Sequence, residues 1–323
     1  MKSLRGQRVL VTGASGFIGR RLCTALQQRG VHVTALMRGT QGGPWQDVLA
    51  VDLGCSEFQI PTGISAIFHL AGKAHVQART QEEIDEYRRI HVQGTTALLH
   101  TAQTTNVHTF IYLSSVKAMG EGSARVEDES AACVPRTPYG QSKLEAERLV
   151  LESALLCPVI LRPTLVYGPG SKGNLAAMMS AVRKGFFPPF SFPQNARSMI
   201  HVDDVVQACI LAATHTVACK QTYILTDGYD YSTPQILGLI RTVLGKRQGL
   251  CIPFWPLDIL ARIGSALEQA GVSVPLTSTQ LDKLTGSARY SNRKICDELG
   301  FIPQYNLQTG IRQMAEDMRK GVC

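Results

Sequence analysis

No C-x-x-C pair occurs in this chain. Its nine cysteines, Cys23, Cys55, Cys133, Cys157, Cys209, Cys219, Cys251, Cys296 and Cys323, are scattered and odd in number. That spacing excludes the usual metal-ligand patterns and the disulfide framework of a small secreted fold. Free thiols in a cytoplasmic protein, with no metal site, are the expectation. Long apolar runs are also missing. The longest low-charge stretch, Gly249–Ala270, carries two prolines, Asp258, Arg262 and Glu268. It reads as an amphipathic surface or lid segment, so no membrane partner is expected. Met1–Gln7 is short and polar, unlike a signal peptide. There is no Lys/Arg block, no basic–aromatic pattern, no internal repeat and no low-complexity tract. The net charge of +8 therefore points to an anionic small-molecule cofactor and substrate and away from nucleic acid.

What is present is a globular composition, 44% hydrophobic and 18% charged over 323 residues. That length fits one large α/β domain with a smaller lobe. Strand-like runs at Arg8–Thr12, Val31–Met37, Val48–Val51, Ala66–His69, Thr109–Leu113 and Val159–Arg162 alternate with helical patterns at Phe17–Arg29, Glu82–Thr105 and Tyr139–Leu156. Such alternation predicts a doubly wound parallel sheet with helices on both faces. Ligands then sit beyond the carboxyl ends of the strands. After Arg162, prolines at 163, 169, 188, 189 and 193 break the pattern. Residues 1–170 are read as a dinucleotide-binding domain. Residues 171–323 are read as mainly a substrate lobe, with segments free to return to the sheet.

Between the first strand and first helix lies Thr12-Gly13-Ala14-Ser15-Gly16-Phe17-Ile18-Gly19. Gly13 allows a sharp turn, Gly16 lets the backbone approach a pyrophosphate, and Gly19 allows close helix–strand packing. The helix start, at Phe17 and Ile18, offers free N–H groups and a favourable dipole to the phosphates. Farther on, Tyr139 and Lys143 lie four apart, on one face of a helix. A tyrosine of ordinary pKa, about 10, is a poor base at neutral pH. An ammonium beside it, with an oxidised nicotinamide ring, would stabilise the phenolate and suit it to acid–base work. Leu113-Ser114-Ser115 closes a strand, and the Ser115 hydroxyl could bond the oxygen being transformed. Taken singly, each feature has a plainer reading: a glycine-rich turn, a surface Tyr–Lys pair, a serine cap.

Together with His69-Leu70-Ala71-Gly72, Arg162-Pro163-Thr164, Arg197–Asp204 and Asp297–Phe301, these motifs resemble the extended short-chain dehydrogenases/reductases. Within them the chain looks most like the nucleotide-sugar epimerase/dehydratase branch. The resemblance implies that Tyr139 is the acid/base, that Lys143 binds the nicotinamide ribose, and that Ser115 holds the reacting oxygen. It places Leu70, Ala71 and Gly72 along the cofactor, Asp52 and Leu53 at the adenine, and Pro163 and Thr164 beside the nicotinamide. Asn174 and Arg197 match positions that hold the substrate diphosphate, a task suited to a guanidinium. It also implies a homodimer built through Glu82–Thr105 and Tyr139–Leu156.

Four departures shape the expectation. The second strand ends in Met37-Arg38, where NAD-using relatives carry an acid, so NADP is favoured over NAD. Val116-Lys117 stand where 4,6-dehydratases carry Asp-Glu, so loss of water is not expected, and Lys117 is left as a candidate substrate contact. His91-Val92-Gln93-Gly94-Thr95 has a histidine where asparagine is usual, either bonding in its place or simply structural. His75 either faces the sugar or is a buried, bonded imidazole. The expected activity is hydride transfer at C4 of a UDP-hexose or UDP-hexosamine, by a 4-keto reductase or 4-dehydrogenase. The alternatives are a UDP-sugar 4-epimerase that retains NAD, a non-sugar carbonyl reductase of the same superfamily, and, remotely, a silent cofactor-binding scaffold.

Overall fold

The alternation of residues along one strand builds two apolar layers at once. Val9 and Val11 of strand Arg8–Thr12 point to one side of the sheet, while Leu10 points to the other. The computed structural model describes residues 3–54, 58–73, 80–185, 187, 191, 194–247, 253–269 and 277–320.

The elements run β1 (Arg8–Thr12), α1 (Phe17–Gln28), β2 (His32–Met37), β3 (Asp47–Ala50), β4 (Ile64–His69), α2 (Gln81–Arg88), α3 (Gly94–Thr104), β5 (Thr109–Leu113), β6 (Val126–Glu127), α4 (Pro138–Glu152) and β7 (Cys157–Pro163). There follow β8 (Leu165–Tyr167), α5 (Asn174–Lys184), β9 (Arg197–His201), α6 (Val202–Thr214), β10 (Thr222–Leu225), β11 (Asp230–Tyr231), α7 (Thr233–Val243), α8 (Trp255–Gln269), α9 (Ser278–Thr285), β12 (Arg289–Tyr290), α10 (Arg293–Leu299) and α11 (Leu307–Arg319).

Seven strands form one parallel sheet in the order β10-β7-β5-β4-β1-β2-β3. The chain reverses its direction of winding between β1 and β4, which opens a crevice beyond their carboxyl ends, at Thr12 and His69. Helices α1 and α6 cover one face through Leu22, Leu26, Val205 and Cys209. Helices α3 and α4 cover the other through Leu98, Leu99, Ala146 and Val150. This is the doubly wound Rossmann-like sheet expected. A third apolar cluster lies in the later part of the chain, where α5, α7 and α11 pack around Met179, Ile240 and Ile311. Within that part, β10 returns to the edge of the main sheet.

Two expectations need correction. The helix expected over 82–105 is interrupted by a π-helical turn at Arg89–Gln93. Its apolar periodicity carries no mark of the wider turn, because the cause is tertiary: His91 is held inward by partners on two other segments. The cysteines are not all free thiols either. Cys157 and Cys219 are bridged, with Cα atoms 4.3 Å apart although they stand 62 positions apart in sequence. Parallel pairing of β7 with β10, extended by Lys220 N–H to the Pro158 carbonyl at 2.7 Å, brings them together. No local spacing could reveal that pairing. Among the described residues Cys23, Cys133, Cys209 and Cys296 remain thiols.

Candidate active site

The glycine turn sits in the crevice. Gly13 has φ +66, and a Cβ there would fall 2.8 Å from the Ala71 amide nitrogen, so only glycine fits. A Cβ at Gly16 would lie 3.1 Å from the Gly13 carbonyl oxygen. Helix α1 starts with Gly16 as N-cap, has no side-chain cap and has no acid in its first turn. Its first N–H groups, beginning at Phe17 and Ile18, therefore meet neither a capping side chain nor a first-turn acid, as suits a phosphate site. The β4 end is tied to this turn: the Ala71 N–H donates to Thr12 Oγ1 at 3.0 Å, and the Leu70 N–H to the Thr12 carbonyl at 3.3 Å. The residues present fit a dinucleotide.

At the carboxyl end of β2, beside that crevice, Met37 is buried and Arg38 exposed. Asp52 accepts from the Gly54 N–H at 3.0 Å and lies 3.5 Å from Arg89. The amide bond, and then the nearby Arg89 and Arg38 guanidiniums, hold its carboxyl below the usual range. Two cations thus stand here. Sequence reading found Arg38 but not Arg89, which arrives from the π-helical turn 37 positions after Asp52. Leu53 is 8% exposed and packs in the apolar layer beside α3.

Helix α4 begins at Pro138, and Thr137 caps it by accepting from the Gly140 N–H at 3.3 Å. This cap fixes Tyr139 and Lys143 on the helix face that looks toward the ends of β4 and β5. Ser115, after β5, caps a short 3-10 turn through the Lys117 N–H at 3.2 Å and hydrogen-bonds the Tyr139 phenol. Lys143 is buried and donates to the Leu113 carbonyl at 3.0 Å and Tyr112 Oη at 3.2 Å. Burial brings its pKa down to about 8, opposed by Glu147.

The expected lowering of Tyr139 by Lys143 is not found. Burial pushes the phenol up to about 12, Ser115 pulls it down and Tyr87 adds to the rise. Lys143 is turned toward Tyr112 and Leu113, and among the described residues Ser115 is the group that favours the phenolate.

A histidine network anchors this helix. The Lys73 N–H donates to His91 Nε2 at 3.1 Å. Nδ1 then carries the proton and donates to Ser142 Oγ at 2.9 Å, and that hydroxyl donates to the Tyr139 carbonyl at 2.9 Å. Burial and the nearby Lys143 hold the His91 pKa down to about 2, so the ring stays neutral and keeps this tautomer. A second buried histidine, His69, lies between Thr12 Oγ1 at 2.6 Å and Thr95 Oγ1 at 2.9 Å. His91 also stacks on Tyr87 at 5.6 Å and meets Tyr139 edge-on at 5.5 Å. Sequence reading left His91 between two roles. The structure makes it a buried, fully bonded imidazole that ties the Lys73 backbone to the Tyr139 turn. Tyr87, Thr95 and Ser142 were missed, since each joins the network through a partner distant in sequence: Tyr139, His69 and His91 respectively.

Pro163 and Thr164 end β7. Thr164 is buried and spends both its N–H and its Oγ1 on the Leu225 carbonyl, at 3.0 and 2.9 Å. Lys117 donates to the Glu121 carboxylate at 3.0 Å and to its carbonyl at 3.2 Å. Gly72 lies under His91: a Cβ there would be 3.0 Å from Nε2. His75 lies outside the described residues.

Asn174 is exposed at the first position of α5. Arg197, at the start of β9, is part-buried and donates through Nε to the Gly286 carbonyl at 2.8 Å. It has no carboxylate partner among the described residues, and burial lowers its pKa. A partly buried guanidinium without a counter-anion is suited to bind one.

A profile of the NAD dependent epimerase/dehydratase family matches residues 9–225. A UDP-glucose 4-epimerase of Vibrio cholerae is 30% identical over 326 residues, covering 95% of this chain and 94% of that protein. A 4-hydroxy-2-methyl-3-oxo-4-farnesyl-3,4-dihydroquinoline-1-oxide ketoreductase of Stigmatella aurantiaca is 26% identical, over 94% of each chain. Among solved structures, MoeE5 in complex with UDP-glucuronic acid and NAD has a TM-score of 0.76 at 25% identity, covering 98% of this chain and 100% of that one.

Proposed function

The chain belongs to the NAD-dependent epimerase/dehydratase family, and on that premise we propose that it reduces a 4-keto UDP-hexose or UDP-hexosamine with NADPH. The observation that carries this reading is the cationic end of β2. Arg38 follows the buried Met37, and Arg89 stands across Asp52, where a 2′-phosphate would find two guanidiniums. Bound against the glycine turn, Leu70, Ala71 and Gly72, with Pro163 and Thr164 beside its ring, a nicotinamide would supply the hydride. Ser115 would hold the C4 oxygen. Tyr139 would give its proton to that oxygen as the carbonyl becomes an alcohol. Lys143 would turn from Tyr112 and Leu113 to hold the ribose and stabilise the phenolate left behind. Arg197 and Asn174 would hold the diphosphate in the lobe formed mainly by residues 171–323. A homodimer through α2, α3 and α4 belongs to the same reading.

The second reading is a 4-epimerase that keeps its NAD, favoured by the likeness to the Vibrio cholerae epimerase. Paired kinetics separate the two. A reductase should carry no firmly held NAD after purification and should prefer NADPH over NADH. Met37→Asp should reverse that preference, because the carboxylate would bond the ribose hydroxyls of NAD and repel a phosphate. Arg38→Ala should weaken NADPH alone, by the roughly 1.5–3 kcal/mol of a charged hydrogen bond. Stoichiometric NAD released on denaturation, with C4 epimers interconverted without added cofactor, would establish the epimerase instead.

Arg197→Ala should raise KM for the nucleotide sugar about tenfold or more with little change in kcat. A diphosphate contact made equally in ground and transition states is uniform binding, and a charged hydrogen bond is worth roughly 1.5–3 kcal/mol. An unchanged KM places Arg197 outside the substrate site.

A further inference from the structure

Helix α8 presents an apolar face that the described chain leaves uncovered. Trp255, Ile259, Leu260, Ile263 and Leu267 are 65%, 48%, 57%, 52% and 42% exposed. At 3.6 residues per turn they lie, with Ala266, within one arc of about 140°. The opposite side carries Phe254, Leu257 and Ala261. Ala261 is fully buried, and Phe254 and Leu257 pack on the lobe's apolar cluster. The helix is thus apolar on both sides, and only one side has protein against it. The other exposed large apolar residues, such as Val48, Val126, Leu156 and Ile302, come from separate elements and loops. Single apolar residues are ordinary on a surface, whereas a contiguous patch marks a contact.

Charge indicates what makes that contact. From Thr233 to Gln269 the chain carries Arg241, Lys246, Arg247 and Arg262 against two carboxylates: Asp258, paired with Arg262 at 3.0 Å, and Glu268, which by helical spacing lies on the side of α8 opposite the apolar arc. Lys246 and Arg247 are exposed just ahead of the helix, and Arg262 lies at the edge of its apolar arc. Two copies meeting symmetrically through this face would bring the same cations against one another. An anionic surface with an apolar layer beneath it would satisfy both properties.

We propose that α8 lies flat on an anionic lipid bilayer, with Trp255, Ile259, Leu260, Ile263 and Leu267 below the headgroups and Lys246, Arg247 and Arg262 among the phosphates. Fifteen residues span roughly 22 Å, less than a hydrocarbon core of about 30 Å. No described helix is long and apolar enough to cross a membrane. The expectation of no membrane partner rested on the lack of a spanning segment, and docking on the surface needs none.

The test is flotation of the full chain with vesicles of phosphatidylglycerol and phosphatidylethanolamine, against vesicles of phosphatidylcholine alone. The anionic vesicles should carry the protein at least about tenfold better, and high salt should release it. Tryptophan emission should shift to the blue on binding, since Trp45 is already buried and Trp255 is exposed. Ile259→Asp/Ile263→Asp should lower flotation by about tenfold or more, with hydride transfer on a soluble nucleotide sugar unchanged. Should that variant fail to fold, Lys246→Glu/Arg247→Glu, in an exposed segment, should give the same loss. The proposal is overturned if wild-type protein does not float with the anionic vesicles, or if the folded variants float as well as wild type. A wild-type dimer that Ile259→Asp/Ile263→Asp converts to monomer would also overturn it, by showing that a second copy covers the face.

Discussion

Replacing Tyr139 with phenylalanine should abolish hydride transfer while leaving the fold and cofactor binding nearly intact. The substitution removes one oxygen. The ring keeps its edge-on contacts with Tyr87 at 5.7 Å and His91 at 5.5 Å, and Ser142 still bonds the main-chain carbonyl of this position. The lost hydroxyl is the group proposed to protonate the C4 oxygen, and a positioned acid or base contributes roughly 10²–10⁴-fold. Ser115→Ala should cost less, because the substrate oxygen would keep its contact with Tyr139. Lys143→Met should harm both turnover and cofactor affinity, since its ammonium is assigned to both. The measurement is kcat with a 4-keto nucleotide sugar, beside a melting curve and cofactor titration for each variant. Near-normal turnover in Tyr139→Phe would remove this residue from the chemistry.

The second large effect is expected in stability. Glu147, one helical turn beyond Lys143, forms a buried bidentate pair with Arg162 of β7, with contacts of 2.6 to 3.2 Å. Both side chains are under a tenth exposed. Glu147→Ala would leave the guanidinium buried without its counter-charge, and breaking such a pair costs about 3–5 kcal/mol. A double replacement by leucines of similar volume should recover much of the loss, because burying two charges is itself costly. Urea unfolding of the three proteins measures this. A change below about 1 kcal/mol in Glu147→Ala would mean that the pair is relieved by water or by movement. The pair clamps α4 to the sheet, so partly destabilised variants should also lose turnover as Tyr139 and Lys143 lose their fixed position.

The elements that position the chemistry were legible in the sequence because their signals are local. The short apolar run in Arg8–Thr12 announces a strand, the three glycines that follow announce a turn suited to a pyrophosphate, and the spacing of Tyr139 and Lys143 places both on one helix face. Tertiary structure decided the rest, because those contacts join positions far apart in the chain. Arg89 reaches Asp52, Glu147 meets Arg162, and Cys157 meets Cys219 only after the sheet and its helices have packed. His91 leaves its helical register because Lys73 and Ser142 hold the ring from two other segments. Lys143 turns toward Leu113 and Tyr112 because β5 presents a carbonyl and a phenol there, and the same burial that makes the site lifts Tyr139 up to about 12. Sequence by itself determined that the glycine turn follows β1 and that Tyr139 and Lys143 share one helix face, since period and turn chemistry set backbone direction. How those side chains bond, and so which charges act on one another, was decided by the tertiary structure, since burial and distance exist only in the folded chain.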